Sequence, residues 1–131
     1  MFFKKVPEEI QSILFHVGHP AHVHFLKNTL WNLQKKGYNI YIAATDKEVT
    51  LQLLNAYGFK YEVIGKNVRG MRNKALNMVG MEMKLLKLVK RYKVDLLVGV
   101  GSIYMAHAGT LMRRPYINFG DTETSKFDWL L

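Results

Sequence analysis

The strongest constraint in this sequence is an alternation. Short runs of aliphatic and β-branched residues recur between longer segments with helical periodicity. Repetition of that kind makes a parallel sheet, because each helix carries the chain back to the edge where the next strand starts. Residues 12–17 (SILFHV) are almost continuously apolar and stop at Gly18, which reads as a buried strand. Across 22–36, Val23, Leu26, Leu30 and Leu33 recur at helical spacing, and Gly37 ends the helix. A second strand follows at 39–45, a helix at 47–57 with Gly58 as its stop, and a third strand at 59–64.

A loop containing Gly and Arg, 65–71, leads to a long helix at 72–92. Its polar stripe runs Asn73, Asn77, Gly80, Lys84, Lys87, Arg91, so Ala75, Val79, Leu86 and Val89 are expected to face the sheet. A fourth strand at 94–100, a helix at 103–113 and a fifth strand at 115–119 complete the pattern. Right-handed crossovers then give a Rossmann-like, doubly wound α/β sheet of about five parallel strands in the order 3-2-1-4-5.

The chain has 131 residues, 49% of them hydrophobic, which is enough for one domain with a real core and argues against disorder. It has no Cys, hence no disulfide framework and no thiolate nucleophile or metal ligand. No run approaches the roughly 18 apolar residues of a membrane-crossing helix. The expected division is an N-terminal extension at 1–11, the Rossmann-like domain at 12–120, and at 121–131 the start of a further, truncated segment. The opening MFFKKVPEEI lacks the apolar stretch of an export signal, so the cytoplasm is the expected location.

Charge is concentrated. Nine of the nineteen basic residues lie in 66–93 (Lys66, Arg69, Arg72, Lys74, Lys84, Lys87, Lys90, Arg91, Lys93) beside one acid, Glu82. That segment holds +8 of the net +9. An anionic partner or a solvated helix face are the two readings. Nucleic acid is the weaker choice of partner, since no aromatics interleave with these bases.

In the order 3-2-1-4-5 the switch point falls between the first and fourth strands, so the loops at Gly18 and Gly101 should share one crevice. The first loop is Gly18-His19-Pro20-Ala21-His22-Val23-His24. Gly18 permits a tight turn and Pro20 stiffens the approach to the helix. His19 and His22 then stand where a general base, or a donor to a sugar or phosphate, would stand. A metal site is not expected from His16, His19, His22 and His24. His16 points to one face of the sheet, and His22 and His24 diverge on their helix. Across the crevice, Gly99-Val100-Gly101-Ser102 pairs small residues with a helix cap. The motifs G-x-G-x-x-G and G-x-x-x-x-G-K are both missing, which argues against a nicotinamide dehydrogenase or a nucleotide triphosphatase. Asp121 and Glu123 follow the fifth strand at the same edge, as ligand contacts or as a turn and cap.

From Gly18 to Lys66 the chain resembles the N-terminal half of the domain of unknown function 354 family, most specifically at Pro20-Ala21-His22-Val23-His24-Phe25. Gly101-Ser102 and Asp121-Thr122-Glu123 extend the likeness along the chain. These proteins are glycosyltransferase-like and related in fold to the GT-B glycosyltransferases and UDP-N-acetylglucosamine 2-epimerase. The resemblance implies the acceptor-side domain of a metal- and cofactor-independent enzyme, inactive alone because the nucleotide-sugar would bind mainly to a C-terminal domain. In that setting His19 or His22 would deprotonate or orient a hydroxyl of a polysaccharide or lipid-linked acceptor. Gly18, Pro20, Gly101, Ser102, Asp121 and Glu123 would shape the cleft, and Lys66, Arg69, Arg72, Lys84, Lys87 and Arg91 would meet an anionic surface such as the inner face of a membrane. The alternative is a non-catalytic α/β module that binds an anionic small molecule or partner in the same crevice.

Overall fold

The computed structural model describes residues 10–66 and 68–119. The extension at 1–11 falls almost wholly outside them, and so do the segment at 121–131, Asp121 and Glu123. The elements alternate as β1 (Ser12–Val17), α1 (Pro20–Lys35), β2 (Asn39–Asp46), α2 (Thr50–Ala56), β3 (Glu62–Lys66), α3 (Met71–Arg91), β4 (Leu96–Val100), α4 (Ile103–Met112) and β5 (Tyr116–Phe119). All five strands pair in parallel, in the order β3-β2-β1-β4-β5.

Strand alternation divides the core into two layers. Ile13, Phe15 and Val17 pack with Val23, Leu26 and Leu30 of α1 and Leu54 of α2. On the opposite face Leu14, Ala43, Ile64 and Leu97 pack with Met81, Leu85, Leu88 and Val89 of α3 and Met105 and Ala108 of α4. The period of two puts His16 on that second face, two residues beyond Leu14. At the amino edge, the Asp95 carboxylate accepts the N–H groups of Gln11 and Ser12 at 3.0 and 3.1 Å. The Asp95 N–H donates to the Ser12 carbonyl at 2.8 Å.

One expectation is overturned. Of the four residues expected to bury the face of α3, only Val89 is buried; Val79 is 57% exposed, Ala75 is exposed and Leu86 is half-buried. The buried stripe is Met81, Leu85, Leu88 and Val89. Close packing sets this phase: Met81 lies directly over Gly65 of β3, where any side chain would collide with its thioether. The segment at 59–61 also proves to be approach rather than strand, and β3 starts at Glu62.

Candidate functional site

The carboxyl ends of β1 to β4 converge beneath the first turns of α3 on a cavity of about 340 Å³. Its walls come from six directions: His16 and Gly18 from the end of β1, His22 from α1, and Thr45 and Lys47 from the end of β2. Lys66 and Val68 follow β3, while Lys74, Asn77, Met78 and Met81 descend from α3. Val100, Gly101, Ser102 and Tyr104 close the far side. The Gly18 and Gly101 loops thus line one crevice at the switch point. Gly101 holds φ +57°, a left-handed conformation that glycine adopts without penalty.

The floor is polar and fully engaged. His16 is buried, with Nδ1 2.8 Å from Ser102 Oγ and Nε2 3.1 Å from Thr45 Oγ1. Ser102 caps α4 by accepting the Met105 N–H at 3.4 Å, which leaves its own proton free to bond His16. Desolvation, with a smaller contribution from His22, pushes the His16 pKa down to about 4, so this ring is neutral at physiological pH. Asn118 ties the same corner together: its Oδ1 accepts the Ser102 N–H at 3.0 Å.

The two histidines of the first loop separate in role. His22 Nδ1 accepts the Gly18 N–H at 3.1 Å. A backbone N–H only donates, so neutral His22 carries its proton on Nε2. Desolvation first, then the charges of His19 and Lys47, lower its pKa and keep it neutral. As placed, His22 is therefore a hydrogen-bond donor; acting as a base would require moving its proton to Nδ1 and giving up the Gly18 bond. His19 is the cap of α1, its Nδ1 accepting the Ala21 N–H at 3.1 Å, with Nε2 3.8 Å from Glu48 Oε2. Neither His19 nor Pro20, which opens α1, reaches the cavity wall. His24 lies on the outer face against Tyr57, 3.3 Å from its hydroxyl.

Of the basic residues singled out in the sequence, Lys66 lines the cavity, and Arg69, Arg72, Lys84 and Lys87 are exposed around α3. Arg91 stands 3.8 Å from Glu62. Sequence reasoning missed Thr45, Lys47, Lys74 and Tyr104 as wall residues, and treated His16 only as a discounted metal ligand. The strand order contained the signal for Lys47, since the end of β2 also borders the switch point. Among the described residues, no group of three or more His, Asp or Glu side chains is placed to hold a metal ion.

A parallel sheet in this order, with its cavity over the switch point, defines a Rossmann-like domain of the type found in GT-B glycosyltransferases and UDP-GlcNAc 2-epimerases. Within that class the chain belongs to the family described as protein of unknown function (DUF354), whose model matches residues 12–127. It is similar in fold to the glycosyltransferase VinC in complex with dTDP (TM-score 0.67, 14% identity, 84% of this chain and 34% of that one). It is likewise similar to UDP-GlcNAc 2-epimerase from Neisseria meningitidis bound to UDP-GlcNAc (0.65, 14%, 82% and 32%). The glycosyltransferase SsfS6 from Streptomyces sp. SF2575 gives 0.64 at 16% identity, over 84% of this chain and 39% of that one. The chain thus spans about a third of the length of these structures. No curated protein sequence matches it.

Proposed function

We propose that this chain is the acceptor-side domain of a GT-B-type glycosyltransferase that transfers sugar from a nucleotide-sugar to a polysaccharide or lipid-linked acceptor. The observation that carries this reading is the cavity at the switch point, where the His22 donor, Thr45 and Ser102 edge a space large enough for one sugar ring. In the reaction so conceived, His22 orients an acceptor hydroxyl by donating to it. The neutral His16 holds Thr45 and Ser102 in place. Transfer needs donor and acceptor held in register, and these residues form one wall of such a cleft.

Incubation with nucleotide-sugars and candidate glycosides tests the reading. Glycosides should bind at the cavity without turnover, and His22→Ala should weaken that binding. Nucleotide-sugar turnover by the chain alone, abolished by His22→Ala, would overturn the acceptor-side assignment. Failure of every glycoside to bind would favour the non-catalytic module.

A second reading concerns placement at a membrane, and α3 favours it. No helix among the described residues is long and apolar enough to cross a bilayer. Leu76, Val79 and Met83 nevertheless form an exposed apolar stripe on α3, with Arg72 before it and Lys87 after it. Insertion of such a stripe beside cations suits an anionic leaflet, each cation contributing about 1 kcal/mol. Co-sedimentation with acidic vesicles should survive moderate salt in the wild type and fall sharply for Leu76→Ser with Val79→Ser. Equal sedimentation with neutral and acidic vesicles would sink the idea.

A further inference from the structure

The cavity has a sign. Lys47, Lys66 and Lys74 come from the end of β2, the end of β3 and the second turn of α3, and all three line it. Among the described residues, no acidic side chain does. The ion pairs among the described residues are His19–Glu48, Arg91–Glu62 and His107–Glu82, none of which involves these lysines. Three cations drawn from separate elements into one space repel one another, and a solvated helix face does not require that convergence. The nearest acids, Asp46 in register with Lys66 and next to Lys47 in the chain, and Glu48 on the other side of Lys47, do not line the cavity.

Donors of the neutral kind share the same space. His22 supplies an N–H, and Thr45, whose Oγ1 accepts from His16 Nε2, keeps a hydroxyl proton for the same space, while that of Ser102 is held by His16. Cations interspersed with neutral hydrogen-bond donors match the oxygens of a tetrahedral dianion. We infer that this crevice binds a phosphoryl group through Lys47, Lys66 and Lys74, with His22 donating to the same group. This deepens the sugar-transfer reading and rests on its placement of the ligand site. It makes the occupant a phosphate-bearing molecule, either the diphosphate of a nucleotide-sugar or a phosphorylated acceptor.

Calorimetric titration of the full chain with inorganic pyrophosphate at low salt tests the inference. Binding should weaken by up to about fivefold for each of Lys47→Gln, Lys66→Gln and Lys74→Gln, in line with the strength of exposed charge pairs. Lys90→Gln with Lys93→Gln, at the end of α3 away from the cavity, should leave it unchanged. UDP and a sugar 1-phosphate form two further arms: the tighter of the two identifies whether the group arrives on donor or acceptor. Equal losses from the distal and the cavity variants would show that only net charge is read, and would overturn the site. So would the absence of pyrophosphate binding at millimolar concentration. A neutral glycoside that binds with dependence on His22 while pyrophosphate does not bind would overturn this inference and leave the acceptor reading standing. Pyrophosphate held by the lysines with neither a glycoside nor a sugar 1-phosphate bound would overturn the acceptor reading alone.

Discussion

From Met81 to Val89, α3 buries four apolar side chains against the sheet, whereas Met71, Leu76 and Val79, in the turns before, stand 90%, 67% and 57% exposed. Both stretches are rich in Met, Leu and Val. The difference is one of length. A helix of 21 residues runs about 31 Å, while the five-residue strands β3 and β4 on either side of it in sequence run about 17 Å each. Roughly half of α3 must therefore overhang the sheet's carboxyl edge. The packed half holds the domain together; the overhanging half roofs the cavity and delivers Lys74, Asn77 and Met78 to it. Apolar character alone does not distinguish a residue that stabilises the fold from one offered to a ligand or surface.

The sharpest way to break this contrast is Leu85→Ala. Leu85 is fully buried, and its truncation should cost about 3 kcal/mol in denaturant unfolding. If the loss were below 1 kcal/mol, the packed half would not be what holds α3 in place.

Next in size is the pH response of the polar floor beneath the overhang. The His16 pKa is depressed to about 4 in the folded chain against 6.5 for the free side chain. Below pH 6.5 the unfolded state takes up a proton that the folded state refuses, so stability falls as pH falls, until the folded pKa is reached. Between pH 7 and pH 5 this amounts to about 2 kcal/mol. His16→Asn should flatten that slope; an unchanged slope would place its origin elsewhere.

Smaller again is Ser102→Ala, which removes the α4 cap and one partner of His16. About 1 kcal/mol is expected, with a disturbed His16 ring resonance in NMR spectra; a cost with no such disturbance would confine Ser102 to capping. The smallest effect belongs to Leu76→Ala, within about 0.5 kcal/mol. A loss matching that of Leu85→Ala would erase the distinction between the two halves.

The sheet was legible because Gly18, Gly37 and Gly58 punctuate clean apolar runs, and strand order follows from crossover handedness. The phase of α3 was not. Apolar residues occur all round its first three turns, so periodicity fits more than one face, and the close approach of Met81 to Gly65 that selects among them is invisible in one dimension. The crevice was half legible. Gly18, His22, Gly101 and Ser102 flank the switch point and can be found from the topology. Lys47 follows from the end of β2 beside the switch point, but Lys74 reaches the same space from α3, and only the folded chain shows the two meeting. His16 entered the sequence reading only as a discounted metal ligand, since its role in the polar floor is visible only with its two hydroxyl partners.

The anchor at the amino edge has a reach of its own. Asp95 grips Gln11 and Ser12 and so decides which residue of β1 stands opposite which residue of β4. A slip of a single residue along that pair would turn every side chain of β1 over. Phe15 or Val17 would then face Thr45 and Ser102, and the imidazole would be driven into the dry layer beneath α1. The chemistry at one rim of the sheet is thus gauged from the other, roughly 13 Å away along the strand, by a carboxylate that touches nothing in the cleft.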